Sequence, residues 1–267
     1  MRLKDKVAII TGGNGVLGGA IAMGLAAQGV KIALLGRTAH KVETRVAQIE
    51  QSAGQSIALI ADVLDQESLE RANETILKKW GKIDILINAA GGNLKGATIA
   101  DTDNFFDLSF EDFDKVTQLN LKGTLLPTFV FGKSMAKQRK GSILNISSMS
   151  AQQAITRIVG YSASKAGVDN FTKWLSVEMA LKFGEGIRVN AIAPGFFIGE
   201  QNRALLLNED GSLTERGKTI VAQTPMKRFG KPEELQGVVN WLVSDQASFV
   251  TGVIIPIDGG FSAFSGV

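Results

Sequence analysis

Residues 6–19 read KVAIITGGNGVLGG, a short apolar run that leads directly into a glycine-rich segment. The apolar part, Lys6 to Thr11, has the length and the continuous hydrophobicity of a buried parallel strand. Helical spacing of apolar residues follows as far as Ala26, and a second apolar run covers residues 31–35. A strand, a glycine turn, a helix and another strand within about thirty residues predict the βαβ unit of a nucleotide-binding fold.

The glycine turn fits the pattern G-x-G-x-x-G at Gly13, Gly15 and Gly18. Glycines permit a tight turn and a close approach of a ligand to the backbone, while the following helix start offers N–H groups to an anion. Because this turn lies between a strand and an amphipathic helix, we expect it to hold the pyrophosphate of a dinucleotide.

The end of the second strand bears on the choice of nucleotide. A carboxylate there would accept hydrogen bonds from the ribose 2′-hydroxyl of NAD. The chain instead has Arg37, with no acidic residue before Glu43. An arginine can face a 2′-phosphate and stack on adenine, so the sequence leans toward NADP(H). Asn14 occupies a turn position where a second basic residue would have strengthened that preference.

Strand-like and helix-like segments alternate to the end of the chain. Further strands are predicted at 56–61, 83–87, 143–146, 187–193 and 253–257, and helices at 38–53, 66–80, 110–138, up to 183 and from 231. Neither a repeat nor a linker interrupts them, so residues 1–267 are predicted to form a single domain. The pattern predicts an α/β fold, a Rossmann-type doubly wound parallel sheet of seven strands with helices on both faces. The irregular segment 196–224 is predicted to be a lid or substrate loop.

The composition excludes several classes of function. Lys and Arg number 29 against 26 Asp and Glu, without a basic run, so neither nucleic-acid binding nor a membrane-surface helix is indicated. Cysteine is absent and His40 is the single histidine, so no metal site and no Ser-His-Asp triad is expected. With no signal-like or membrane-spanning stretch, a cytoplasmic protein is expected. Any proton transfer has to use a tyrosine, a lysine or a carboxylate.

The chain's only tyrosine, Tyr161, stands four residues before Lys165 in a stretch with helical spacing. Residues four apart project from one helix face, and a nearby cation favours the phenolate, so Lys165 is expected to lower the Tyr161 pKa. Such a phenol can exchange a proton near neutral pH. Ser148 follows a strand-like run and can meet the phenol at the strand's end. Taken alone, the pair also fits a half-buried tyrosine beside a solvated lysine.

Motifs spread from Lys6 to the C-terminus resemble those of the short-chain dehydrogenase/reductase family. They are Thr11-Gly12 with the glycine turn, Asp62, Asn88-Ala-Ala-Gly91, Asn120, Ser148, Tyr161-x-x-x-Lys165 and Pro194-Gly195. The resemblance implies an NAD(P)-dependent oxidoreductase with Tyr161 as general acid or base. Lys165 would lower the tyrosine pKa and bind the nicotinamide ribose. Ser148 would hold the substrate oxygen, with Ser147 as a backup, and Asn120 would anchor a water.

The resemblance also implies a set of cofactor contacts, in which Asp62 and Val63 meet the adenine, Asn88 to Gly91 shape the cofactor floor and Pro194 to Ile198 form the nicotinamide pocket. They are Gly12, Asn14, Val16, Leu17, Gly18, Arg37, Asp62, Val63, Asn88, Ala89, Ala90, Gly91, Tyr161, Lys165, Pro194, Gly195 and Ile198. Two positions depart from the family pattern: Val16 stands where a turn glycine is common, and Gly199 where a threonine often contacts the carboxamide. The resemblance further implies a homotetramer, in which the helices at 110–138 and 159–183 pair between subunits.

A narrower likeness is to the D-mannonate oxidoreductase (fructuronate reductase) branch of this family. It rests on the glycine turn, on residues 88–93 and 194–203, and on the tail from Asp258. It implies the sugar acids D-fructuronate and D-mannonate as substrates, which need a cation and amides around them. Candidate substrate contacts are Asn93, Arg157, Gln201 and Arg203. The alternatives are a gluconate 5-dehydrogenase-like enzyme, a 3-oxoacyl carrier-protein reductase, and a cofactor-sensing regulator without catalysis.

Overall fold

The computed structural model describes residues 3–52, 54–100, 102–200 and 202–266. Within these ranges one sheet contains seven parallel strands: β1 (Val7–Thr11), β2 (Lys31–Gly36), β3 (Ser56–Ile60), β4 (Ile85–Asn88), β5 (Gly141–Ile146), β6 (Ile187–Pro194) and β7 (Ile254–Ile257). The strands lie in the order β3-β2-β1-β4-β5-β6-β7. The predicted fold class, a doubly wound parallel sheet of seven strands, is confirmed.

Helices cover both faces of the sheet. They are α1 (Val16–Ala27), α2 (Ala39–Gln51), α3 (Gln66–Trp80), α4 (Phe110–Thr117), α5 (Gly123–Gln138), α6 (Val159–Phe183), α7 (Arg203–Leu206), α8 (Glu215–Gln223) and α9 (Gln236–Val243). The helix predicted from residue 231 begins instead as a 3₁₀ turn, Pro232–Leu235, which passes into α9. Among the described helices, none is long and apolar enough to cross a membrane.

Two apolar layers enclose the sheet, one on each face. In β1, Ala8 and Ile10 belong to the layer that packs on α1, α2 and α9, whereas Val7 and Ile9 belong to the layer that packs on α3, α5 and α6. Successive strand residues point to opposite faces, so a strand covered on both sides has to be apolar at every position. This is why the sequence of β1 is continuously hydrophobic.

The direction of strand connection reverses between β1 and β4. β1 pairs with β2 on one side and with β4 on the other, where Thr11 lies opposite Asn88. Chain connections leave these two strands in opposite directions, which opens a crevice at their carboxyl ends. The loops after Thr11 and Asn88 therefore flank the place where such a sheet binds a ligand.

The single helix predicted at 110–138 is wrong in one respect. A π turn, Gln118–Lys122, separates α4 from α5. In this turn Asn120 is fully buried, and its side-chain amide donates to the carbonyl of Val116 at 2.8 Å. The side chain thus satisfies a carbonyl within the widened turn. π turns are frequent at functional sites, and this one positions a residue of the predicted catalytic set.

Residues 196–224 form short mixed pieces, in agreement with their sequence. α7 and α8 alternate here with two isolated bridges, Phe197–Gly230 and Leu207–Leu213. The side chain of Asn202 accepts a hydrogen bond from the Gly199 N–H and donates to the Phe197 carbonyl, which fixes the start of the segment. The role of this segment as a lid stays a prediction.

Candidate active site

The loops that follow β1 and β4 are locked together. The hydroxyl of Thr11 accepts hydrogen bonds from the backbone N–H groups of Ala89 and Ala90, both at 3.2 Å. Gly12 has a φ of 62°, and a β-carbon there would lie 2.8 Å from the Ala89 carbonyl oxygen. Only glycine combines this backbone conformation with so close a contact. The glycine turn is therefore pressed against residues 89–90 at the crevice.

The glycine turn leaves the N-terminus of α1 open at the crevice. Gly15 is the N-cap of α1. As a glycine it has no side chain that could make a capping hydrogen bond. A β-carbon on Gly18 would lie 2.5 Å from the carbonyl oxygen of Gly12, so the helix packs tightly on the turn. Val16 and Leu17, the first residues of α1, are half-buried. The cradle fits the pyrophosphate that the sequence predicts, because helix N-termini attract anions.

The two departures from the family pattern lie next to each other. A β-carbon built on Gly199 would be 3.9 Å from Val16 Cγ2 and 3.9 Å from Asn202 Oδ1. Both distances are ordinary van der Waals contacts, so positions 16 and 199 are neighbours in the fold.

The predicted adenosine contacts gather at the carboxyl ends of β2 and β3. Arg37, largely exposed, lies 3.7 Å from the carboxylate of Asp62. Asn14 packs against Gly36, because a β-carbon built on Gly36 would lie 2.4 Å from the Oδ1 atom of Asn14. Val63 is buried. The structure brings this predicted group together at one corner of the crevice.

Asn88 lies below the floor of the crevice. It is buried, and its side-chain amide donates to Thr128 Oγ1 and to Asn145 Oδ1, both at 2.8 Å. Asn145 in turn donates to Thr172 Oγ1 at 2.9 Å. Asn88 therefore braces β4 against β5 and α5. Within the predicted cofactor floor, residues 88–91, the backbone of residues 89–91 faces the crevice.

The predicted nicotinamide pocket follows β6. Pro194 ends the strand opposite Ile257, and the Gly195 N–H donates to the Ile257 carbonyl at 2.9 Å. A β-carbon on Gly195 would lie 2.6 Å from Asp258 Cβ, so this turn also requires glycine. Ile198 is half-buried in the next few residues.

Tyr161 lies in the first turn of α6 and Ser148 at the end of β5. A hydrogen bond between their side chains lowers the Tyr161 pKa, although burial, the larger effect, raises it overall. The hydroxyl of Ser147 points elsewhere and donates to Asp169. The geometry supports Ser148 over Ser147 as the partner of the phenol.

Lys165 and Asn120 meet at Gly91. The ammonium of Lys165 donates to the Ile146 carbonyl at 2.7 Å and lies 5.5 Å from the centre of the Tyr161 ring. Asn120 exchanges two hydrogen bonds with the backbone of Gly92. A β-carbon on Gly91 would be 2.7 Å from Asn120 Oδ1 and 3.4 Å from Lys165 Nζ. Two of the four predicted catalytic side chains, Lys165 and Asn120, thus meet at one glycine, and the Tyr161 ring lies beside Lys165.

The expectation that Lys165 lowers the Tyr161 pKa is wrong for the protein alone. Burial raises the pKa of the phenol, and the hydrogen bond with Ser148 opposes that rise. Burial also lowers the Lys165 pKa to about 8, an effect that the charge of Asp169 partly offsets. The ammonium of Lys165, 5.5 Å from the centre of the ring, does not offset the effect of burial on the phenol. Tyr161 accordingly keeps its proton through neutral pH.

Asp169 is a buried acidic residue beside this group that the sequence interpretation missed. It is buried on α6, and burial raises its pKa, while hydrogen bonds from Ser147 and Gln152 lower it. It stands four residues after Lys165, so the i, i+4 spacing used for Tyr161 and Lys165 could have identified it. Its carboxylate fixes Ser147 and supports the charge of Lys165.

The predicted substrate contacts differ in their surroundings. Asn93 donates to Thr98 Oγ1 at 2.7 Å, and its own Oδ1 is a buried acceptor with no hydrogen-bond partner among the described atoms. Arg157 lies two residues before α6 with a φ of 78°. Arg203 is exposed at the start of α7, and Gln201 lies outside the described residues. Asn93 and Arg157 therefore remain the better supported of the four.

The depressed Lys165 pKa predicts a pH-dependent stability. The folded protein binds this proton less tightly than the unfolded chain, so stability is lowest below about pH 8 and rises as pH increases toward 10.5. Between pH 8 and pH 10.5, the free energy of unfolding of the wild type is expected to increase by up to about 3 kcal/mol relative to that of Lys165→Met. Urea unfolding at pH 7, 8, 9 and 10 measures the difference.

Lys182→Met, in the last turn of the same helix and exposed, is the matched control for this series. Its stability difference from the wild type should stay flat with pH. An equally flat difference for Lys165→Met would contradict the shifted pKa.

Comparison with known proteins identifies the family of this chain. The parallel sheet and the Tyr161–Lys165 pair define a nucleotide-dependent oxidoreductase. A family model described as enoyl-(acyl carrier protein) reductase matches residues 14–262. An uncharacterised oxidoreductase of Bacillus subtilis is 48% identical over 99% of this chain and 98% of its own. The chain belongs to the short-chain dehydrogenase/reductase family, and it is an NAD(P)-dependent enzyme that acts on CH–OH groups.

Two further similarities bear on the substrate. A crystal structure from Haemophilus influenza, described as a candidate D-mannonate oxidoreductase with bound NAD, has a TM-score of 0.92 and 42% identity, and the match covers 100% of this chain and 98% of that one. A 3-oxoacyl-[acyl-carrier-protein] reductase of Thermotoga maritima is 34% identical over 97% of this chain and 99% of its own. The chain is thus similar to proteins with two different kinds of substrate.

Proposed function

We propose that the protein reduces a keto sugar acid to the hydroxy acid, with D-fructuronate and D-mannonate as the substrate pair. The observation that carries the proposal is the grouping of Tyr161, Ser148, Lys165 and Asn120 at the crevice, in a chain 42% identical to a candidate D-mannonate oxidoreductase. The orphan acceptor of Asn93 supports a polyhydroxylated substrate, because a hydroxyl group could satisfy it.

In the proposed reduction, the Ser148 hydroxyl donates to the substrate carbonyl oxygen and positions it beside Tyr161. The phenol then gives its proton to that oxygen, and its raised pKa suits the acid role at neutral pH. Lys165, with a pKa of about 8, can return a proton to the tyrosine. The nicotinamide, when bound, supplies the hydride. In the reverse reaction, oxidation of the hydroxy acid, Tyr161 has to act as a base. The rate of oxidation should therefore increase as pH rises.

A panel of carbonyl substrates tests the function directly. The purified protein is mixed with NADH or NADPH and D-fructuronate, 5-ketogluconate or a 3-oxoacyl thioester, and the nicotinamide absorbance is followed. The proposal expects the highest kcat/KM with D-fructuronate. A clear preference for 5-ketogluconate or for the thioester would establish one of the alternative enzymes. No turnover with any carbonyl, despite cofactor binding, would favour the non-catalytic regulator.

We infer a preference for NADP(H) from the adenosine corner. Arg37 is exposed and its contact with Asp62 is long at 3.7 Å, so the guanidinium can turn to a 2′-phosphate at small cost. Arg37→Gln is expected to lower kcat/KM for NADPH about 10- to 100-fold and to change that for NADH by about twofold at most.

The neighbouring cation Lys41, which pairs with Glu200 at 3.2 Å, provides the control for the cofactor test. Lys41→Gln should leave the NADPH-to-NADH ratio unchanged. The NAD-bound relative is a reason to measure both cofactors, and a wild-type enzyme that prefers NADH would contradict the inference.

We also propose that the enzyme is a homotetramer built in part through α5 and α6. Large apolar side chains on these helices are exposed, namely Phe129, Trp174, Val177 and Leu181. Light scattering should then give a mass near four times 28.4 kDa. Trp174→Glu is expected to reduce that mass, while Lys173→Glu, at the adjacent exposed position, should not. A monomeric wild type would contradict the proposal. The cytoplasmic location of the protein is a separate matter and stays a prediction.

A further inference from the structure

Two arginines from distant parts of the chain come together beside the start of α6. Arg216 lies in the first turn of α8, and its Nη1 atom is 3.5 Å from Oγ1 of Thr156, the residue before Arg157. Burial, and then the positive charge of Arg157, lower the Arg216 pKa. The charge of Arg157 thus acts on Arg216, so the two guanidinium groups belong to one electrostatic neighbourhood.

The backbone at Arg157 is also unusual. Its φ of 78° lies in the left-handed region of backbone conformation. Residues other than glycine, asparagine and aspartate rarely adopt this region. The carbonyl of Arg157 accepts a hydrogen bond from the Ile99 N–H at 2.9 Å, which ties this turn to the loop after β4. Strained conformations of this kind concentrate at binding sites. Three segments therefore meet here: the loop after β4, the turn before α6, and α8.

This meeting point is close to the reacting centre along the chain. Arg157 precedes Tyr161 by four residues, so the chain limits their separation to roughly 14 Å. A sugar acid whose carbonyl lies at Tyr161 and Ser148 has its carboxylate at the other end of the carbon chain. The carboxylate would thus extend from the crevice toward the arginines.

We propose that Arg157 and Arg216 together form the subsite for the substrate carboxylate. The proposal rests on the sugar-acid function given above and adds Arg216, a residue with no signal in the sequence. Guanidinium groups suit this task because they can bind a carboxylate through two parallel hydrogen bonds. Arg216 takes the place that the sequence interpretation gave to Arg203. Since Arg216 belongs to segment 196–224, the carboxylate would also draw that segment onto the start of α6.

Kinetics with Arg216→Gln test the subsite. The KM for D-fructuronate and the Kd for D-gluconate, measured without nicotinamide so that no oxidation can occur, are expected to rise about 10- to 100-fold. The KM for the nicotinamide cofactor and the melting temperature should not change. Arg216→Lys should recover part of the loss, because it restores the charge without the planar fork. Lys218→Gln, on the same helix and exposed, is the matched control and should resemble the wild type.

Arg157→Gly tests the second member of the pair without adding backbone strain, because glycine adopts the left-handed conformation readily. It should weaken D-gluconate binding as Arg216→Gln does. Unchanged affinity for D-gluconate in both variants would overturn the proposal, as would a parallel loss of cofactor affinity and folding stability.

The failure of the proposed function can be told apart from the failure of the subsite. If the wild type turns over no keto sugar acid, the function is wrong. Calorimetric titration of D-gluconate still decides the subsite in that case. Binding that Arg216→Gln removes would support an anion subsite for another acidic substrate, and absence of binding to the wild type would overturn it.

Discussion

Replacing Tyr161 with phenylalanine is expected to lower kcat/KM for carbonyl reduction by about 10²- to 10⁴-fold, the usual contribution of a positioned general acid. The substitution keeps the ring near Lys165 and removes the hydroxyl that faces Ser148. No other side chain can easily take over, because the chain has no cysteine and His40 is exposed on α2. The rate is measured from nicotinamide absorbance, and cofactor affinity by fluorescence should stay the same.

A control for this experiment lies at the next position. The Ser162 hydroxyl is buried and has no hydrogen-bond partner among the described atoms. Ser162→Ala therefore removes a polar group from the same helical turn without breaking a contact, and its rate should match the wild type. If Tyr161→Phe kept the full rate, Tyr161 would not be the proton donor.

Gly91→Ala is expected to lower kcat by about 100-fold, although no catalytic side chain is removed. The added methyl group would lie 2.7 Å from Asn120 Oδ1, so the Asn120 side chain has to move, and it would also touch Lys165 Nζ at 3.4 Å. Displacement of a catalytic group by about 1 Å can cost two orders of magnitude in rate. Steady-state kinetics measure kcat, and circular dichroism checks that the fold is retained.

Gly237→Ala is the matched control, because a β-carbon at this helical position meets nothing within 4 Å. It should preserve the rate and add roughly 0.5–1 kcal/mol of stability, the usual gain of alanine over glycine in a helix. Wild-type activity in Gly91→Ala would mean that the grouping around residue 91 is not required for catalysis.

The fold could be predicted from the sequence because each strand has to satisfy two apolar layers at once. The requirement makes Val7, Ala8, Ile9 and Ile10 all apolar, and such runs are easy to recognise. The π turn at 118–122 could not be predicted in this way. It replaces one helical hydrogen-bonding pattern with another and leaves the spacing of apolar residues nearly unchanged.

The candidate site could be predicted only in part, for a related reason. Tyr161, Lys165 and Asp169 share one helix, so their spacing places them on one face. Arg216 comes near the residue before Arg157 only through the tertiary fold, by its contact with Thr156. The pKa of Tyr161 depends on burial, which follows from the packing of several elements and not from a neighbour four residues away.

Val16 and Gly199 have a consequence for the engineering and the divergence of this enzyme. Because a β-carbon at position 199 would lie in van der Waals contact with Val16, 3.9 Å from its Cγ2 atom, we expect the effect of changing either residue to depend on the identity of the other. A double-mutant cycle with Val16→Gly and Gly199→Thr measures that dependence. A library for this enzyme should therefore vary the two positions together.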